Sequence, residues 1–149
     1  MIVLVVLGMG TLLARMLAMA GVATLAPWPA SVRVGLAVML LFTASAHFTS
    51  MRHDLANMVP RVIPHPMAII YFTGVCEILG GIGLLLPSTR VVAGVALIVL
   101  FLALLPANIR AANAGVTLRG KQATPLALRV PMQVLFIGLT FWAALANPT

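Results

Sequence analysis

Apolar residues run almost unbroken through five stretches of this chain, and the polar positions gather between them. Residues 2–26 are apolar except for a few small polar residues and Arg15, and end at Pro27-Trp28-Pro29. Residues 31–50 carry the core GLAVMLLFTASAHF. Residues 67–86 lie between Pro66 and Pro87, and residues 89–112 contain Pro106 near their end. Residues 125–147 start at Pro125, with Thr124 as an N-cap and the proline at the first helical position, and include Pro131. A run of about twenty apolar residues is the length of a helix crossing a hydrocarbon layer about 30 Å thick. A barrel strand would instead alternate apolar and polar positions over about ten residues. The pattern therefore predicts an all-α, polytopic transmembrane helix bundle of five helices, forming a single membrane domain over residues 1–149.

Composition sharpens this reading. Apolar residues make up 62% of the chain, charged residues 7%, and mean hydropathy is +1.16. A soluble domain carries about a quarter charged residues, so this chain lacks the polar surface to cover itself in water. A signal peptide is the competing reading of the first stretch, but it would want a basic start before the apolar run. Here the charge, Arg15, falls in the middle.

Charge then orients the bundle. Nine Lys and Arg face only two acids, Asp54 and Glu77. In a five-helix arrangement the loops after the second and fourth stretches share a side with the N-terminus. That side holds Arg52, Arg61, Arg110, Arg119, Lys121 and Arg129, whereas Arg33 and Arg90 fall on the other. The positive-inside rule predicts that the N-terminus lies in the cytoplasm and the C-terminus outside. The net charge of +7 then faces anionic lipid of the bilayer, and nucleic acid is not an expected partner.

The intramembrane polar residues carry the candidate chemistry. His47 and Asn108 fall near the cytoplasmic ends of their helices, and Arg129 and Gln133 share one face in the first turns of the last helix. Glu77 is about ten residues, or about 15 Å, into the third helix. An acid there costs several kcal/mol unless it is neutralised or paired, so it should face the interior. Gly74 and Gly81 share its face and would let another helix approach closely. His47, Glu77, Asn108, Arg129 and Gln133 are thus candidates for ligand binding or proton relay. Arg15 is expected to pair with Glu77 across the bundle, either as a structural tie or as part of a functional site.

Plainer roles stand beside these. His47 would donate to a backbone carbonyl, Asn108 would repair the helix defect at Pro106, and Arg129 would anchor its helix to phosphates. Trp28 and Trp142 read as interface anchors. No metal site is expected, since His53 and His65 lie in a loop away from His47. The single cysteine, Cys76, excludes an intramolecular disulfide and a C-x-x-C redox pair.

Five short segments, SAHF at 45–48, MVPRVIPHP at 58–66, GVCEILGGIGLLLP at 74–87, LLPANI at 104–109 and LRVPMQ at 128–133, together resemble the DoxX family of small bacterial membrane proteins. The resemblance runs from about Phe42 to Trp142 and omits the first helix. It implies a four-helix core, and its recurring polar positions correspond to His47, Glu77, Asn108, Arg129 and Gln133. Ala44 stands where the family often has glycine. The family takes its name from a subunit of a thiosulfate:quinone oxidoreductase, so the resemblance implies a quinone- or redox-linked subunit, with quinone as a candidate ligand and membrane oxidoreductase subunits as candidate partners. A non-catalytic assembly or scaffold subunit, alone or as a homo-oligomer, and a small-molecule transporter are the alternatives.

Overall fold

The computed structural model describes residues 2–60, 62–113, 117–118, 121–122 and 125–147, with side chains outside 111–122. Five of its helices are long and apolar enough to cross a membrane, which makes the chain a multi-pass membrane protein. The first, α1, spans Ile2–Met19, and a 3-10 turn at Ala23–Leu25 leads into α2, Trp28–Phe48. A short α3, Met51–Ala56, precedes α4, Pro66–Leu85. Then come α5, Arg90–Asn113, and α6, Leu126–Thr140, which continues as a π-helical segment, Phe141–Ala146. Between α5 and α6 lies a two-residue antiparallel ribbon, with Thr117 opposite Gln122 and Leu118 opposite Lys121.

The first helix is shorter than its apolar run. Gly21 adopts φ 106°, Val22 N–H donates to Leu17 O, and Gly21 N–H donates to Ala18 O. These are the two bonds of a Schellman motif, which ends a helix at a left-handed residue. Apolar residues continue to Ala26, so hydropathy alone carries the helix past the glycine that stops it. Proline sets the other starts. Pro29 lies in the first turn of α2, and Pro66 opens α4 after His65 turns the chain in a left-handed conformation. Pro125 is the N-cap residue of α6 rather than its first helical residue; Thr124 lies outside the described residues, as do Arg61 and Arg119.

Helices α2, α4, α5 and α6 close into a four-membered ring, with α1 docked outside against α2. The α1–α2 contact is close because Gly10 faces Gly35. A Cβ on Gly35 would meet the Thr11 side chain and lie 2.7 Å from Leu7 O. Ring closure between α2 and α6 runs mainly through the π segment. There Leu36, Met39, Leu40, Leu84, Leu97, Phe101, Ala143 and Ala144 form one buried apolar cluster. The opposite end of the ring, which carries the α3 connection, holds most of the polar side chains and is called the α3 end below.

Candidate functional site

Two hydrogen-bonded sets of side chains occupy opposite walls of the ring. The first joins α2 and α4. His47 and Glu77 are buried, 8% and 6% exposed, with Nε2 of the histidine 3.5 Å from Oε1 of the acid. His47 Nδ1 lies 2.7 Å from the Ile70 carbonyl and 3.2 Å from Thr73 Oγ1. Thr73 Oγ1 is in turn 3.0 Å from the Ile69 and Ile70 carbonyls. Thr43 Oγ1 lies 2.7 Å from Glu77 Oε2 and 3.0 Å from the Leu40 carbonyl.

This geometry fixes the histidine's chemistry. A carbonyl oxygen only accepts, so Nδ1 must carry a hydrogen to bond Ile70. The imidazole's remaining nitrogen then faces the acid. A bare lone pair facing a bare carboxylate would repel it, so one further proton belongs between them. It sits either on Nε2, giving imidazolium and carboxylate, or on Glu77, giving imidazole and carboxylic acid. Both forms are neutral overall, which keeps a net charge out of the low-dielectric interior.

Close packing holds the histidine in place. A Cβ on Gly74 would come 2.6 Å from His47 Cβ, whereas one on Gly81 would make ordinary contacts of 3.5 Å with Ala37 O and Leu40 Cβ. The two glycines, alike in sequence, therefore differ in role. Gly74→Ala is expected to destabilise the protein by about 1–3 kcal/mol through overpacking. Gly81→Ala should be neutral or slightly stabilising, because it removes a helical glycine. Unfolding of both variants in lipid nanodiscs checks the contrast.

The second set joins α5 and α6. Arg129 Nη1 donates to Asn108 Oδ1 at 3.0 Å, and Asn108 Nδ2 donates to Gln133 Oε1 at 2.9 Å. Gln133 Nε2 donates to the Phe101 carbonyl. Each amide uses its oxygen and its nitrogen, so the chain of bonds has one direction. Asn108 therefore engages the neighbouring helix, and it is Gln133 that reaches a backbone carbonyl of α5.

The five candidates thus divide between two walls, and Arg15 joins neither. It donates to the Ala26 carbonyl, and its guanidinium lies 4.3 Å from the centre of the Trp28 ring. The expected Arg15–Glu77 pair is not formed. The reason is the early end of α1: Arg15 sits four residues before Met19, near the ring end remote from α3, and not at the depth of Glu77. Sequence reasoning also missed Thr43 and Thr73, whose hydroxyls are inconspicuous in apolar runs. It counted Arg33 and Arg90 only as basic residues of the far side and gave them no partners. They are buried, 4% and 8% exposed, and Arg33 donates to the Ala143 and Asn147 carbonyls, each at 3.0 Å. Among the described residues, no group of three or more His, Cys, Asp or Glu side chains is placed to hold a metal ion.

Both polar walls fall within the stretch that matches a known family, described as a domain of unknown function (DUF8561), over residues 36–145. The chain belongs to the DUF8561 family. The DUF8561 match begins inside α2, so it takes in most of the four-helix ring and omits α1. No curated protein and no solved structure matches the chain.

Proposed function

We propose that this protein is a quinone- or redox-linked subunit of a bacterial cytoplasmic membrane, in which His47 and Glu77 take up and release one proton inside the bilayer. The observation that carries the reading is the commitment of His47 Nδ1 to the Ile70 carbonyl. It leaves Nε2 and Glu77 Oε1 to hold a single exchangeable proton. Reduction or oxidation of a quinone in lipid requires protons to accompany electrons, and the dyad can deliver one, leaving a Glu77 carboxylate that keeps the Thr43 hydroxyl as donor until a proton returns. The directed Asn108–Gln133 chain on the opposite wall offers polar contacts for the oxygens of such a head group.

The resemblance to DoxX proteins supports this reading through the same five polar residues. The basic residues support the orientation. Arg52, Arg110 and Arg129 belong to the α3 end, and Arg33 and Arg90 to the other. With Arg61, Arg119 and Lys121 counted by their place in the sequence, the α3 end faces the cytoplasm.

Ligand-dependent stability tests the proposal. A ligand at one hundred times its Kd stabilises the folded state by about 2.7 kcal/mol. Protein purified in nanodiscs should retain quinone, identified by mass spectrometry of extracted lipid, and quinone analogues should raise its Tm. Glu77→Gln and Gln133→Leu should each reduce that rise. Protein that carries no quinone and melts unchanged with every analogue refutes the reading, and recovery of a stable membrane partner would then favour a scaffold role.

A further inference from the structure

Thr43 is the one polar side chain of the dyad set that is only half-buried. Its surroundings say where that exposure points. Leu36 and Met39 precede it by seven and four residues, hence lie on the same face of α2. Both are buried in the cluster that also holds Ala143 and Ala144 of the π segment. Thr43 therefore faces the inside of the ring and not the lipid. It sits toward the α3 end from the π segment, which makes most of the contact between α2 and α6.

Its hydroxyl can also serve the carboxyl group in both protonation states. With Glu77 ionised, the Thr43 hydroxyl donates to Oε2 at 2.7 Å. With Glu77 protonated on Oε2, the carboxylic acid donates to Thr43 Oγ1, and the threonine turns its own hydrogen to the Leu40 carbonyl at 3.0 Å. Rotation about the threonine's C–O bond adapts its hydroxyl to either arrangement, and a half-turn of the carboxyl about its Cγ–Cδ bond carries the dyad's proton from the oxygen facing Nε2 to the oxygen facing Thr43. On the other side of the dyad, Nδ1–H is held by Ile70, and Thr73 is bonded to backbone carbonyls.

We infer that Thr43 is the positioning residue through which the dyad's proton enters and leaves. On release, the Oε2–H bond of Glu77 breaks as a new O–H bond forms on Thr43. The threonine's original hydrogen passes to an acceptor oxygen inside the ring, which is water when no ligand is bound. Uptake is the reverse. This inference rests on the one-proton dyad of the proposed function, but not on quinone as the ligand.

Proton exchange, measured without quinone, tests it. In protein labelled with ring 15N-histidine and held in nanodiscs, NMR reads the rate at which the His47 Nε2 site exchanges with D2O. His53 and His65 are exposed and exchange fast, and His47→Gln assigns the remaining signal. Thr43→Val should slow the exchange about tenfold or more, and Thr43→Ser should restore it to the wild-type rate. Thr73→Val should slow it less than Thr43→Val does. Exchange at the wild-type rate in Thr43→Val overturns the inference, as does slowing in Thr73→Val that matches or exceeds that in Thr43→Val. If Thr43→Val does not fold, slowed exchange in Thr43→Ser overturns it instead. Thr43-dependent exchange with no quinone response would retire the ligand and keep the route; the converse would do the opposite.

Discussion

Removing His47 alone should destabilise the protein far more than removing His47 and Glu77 together. In His47→Leu, Glu77 keeps Thr43 as a donor but loses the partner that shares its proton. Breaking a buried pair by removing one member costs about 3–5 kcal/mol, whereas replacing both members with apolar residues of similar size is often neutral or stabilising. The double variant His47→Leu/Glu77→Leu is therefore expected within about 1 kcal/mol of the wild type. Glu77→Gln should be mild as well. Its amide nitrogen can donate to Nε2 while its oxygen accepts from Thr43, so every group keeps a partner at a cost of about 1 kcal/mol. Equilibrium unfolding of the four proteins in mixed micelles provides the measurement. A double variant as unstable as His47→Leu would mean that the residues contribute by packing alone and that the shared proton plays no energetic part.

That outcome bears on function, because it separates a device for holding helices from a device for holding a proton. An apolar pair would tie α2 to α4 at least as well, and Gly74 would still admit the close approach. If the double apolar variant matches the wild type in stability, holding the helices together does not account for the ionisable pair, which favours the proton role proposed above. The quinone assay and the exchange assay address that use from the ligand side and the solvent side.

The bundle itself was legible because hydrocarbon imposes a single rule, an apolar run about twenty residues long, and the five runs obey it. Helix ends were less legible where one local residue overrides the pattern. Gly21 stops α1 within an apolar stretch, and moving that end by seven residues carries Arg15 away from the depth of Glu77. The pairing expected from depth depended on that boundary and failed with it.

The polar residues were legible as a set but not as an arrangement. Burial cost says that His47, Glu77, Asn108 and Gln133 turn inward, and they do. It does not say which turns toward which, because that depends on the order of helices around the ring. Two walls, and not one pocket rim, result from placing α2 beside α4 and α5 beside α6. Thr43 and Thr73 escaped notice for a different reason: a hydroxyl in a helix can satisfy itself on a carbonyl of its own preceding turn. Hydropathy therefore gives it little weight, and its second partner becomes visible only in three dimensions.

Arg33 is the clearest case of a charge misread from its position, and its removal should be among the most damaging single changes away from the dyad. Counted from residue 31, it belongs to a helix start, where a cation would reach into the headgroups. The helix in fact begins at Trp28, so Arg33 falls in the second turn, and its side chain turns inward to the last turn of the chain's final helix. The end of a helix leaves carbonyls without intrahelical donors, and a π-helical segment sets them at unusual angles. Arg33 supplies two of those carbonyls, from Ala143 and Asn147, with one nitrogen. Ala143 is wholly buried, so water would not replace the lost donor. Arg33→Met keeps the apolar stem and removes the charge-assisted bonds, at an expected cost of about 3 kcal/mol. Arg33→Lys should fall between the two, because one ammonium nitrogen can donate to both carbonyls but is more strongly hydrated and costs more to bury than a guanidinium. Hydrogen exchange localises the effect. Amides of Phe141–Ala146 should lose protection in Arg33→Met while those of α4 keep theirs, since the π segment closes the ring at this end and α4 is held independently by Gly80 and Gly83 against α5. Unchanged protection in the π segment would mean that the ring closes there through apolar packing, and that Arg33 is carried by the fold without supporting it.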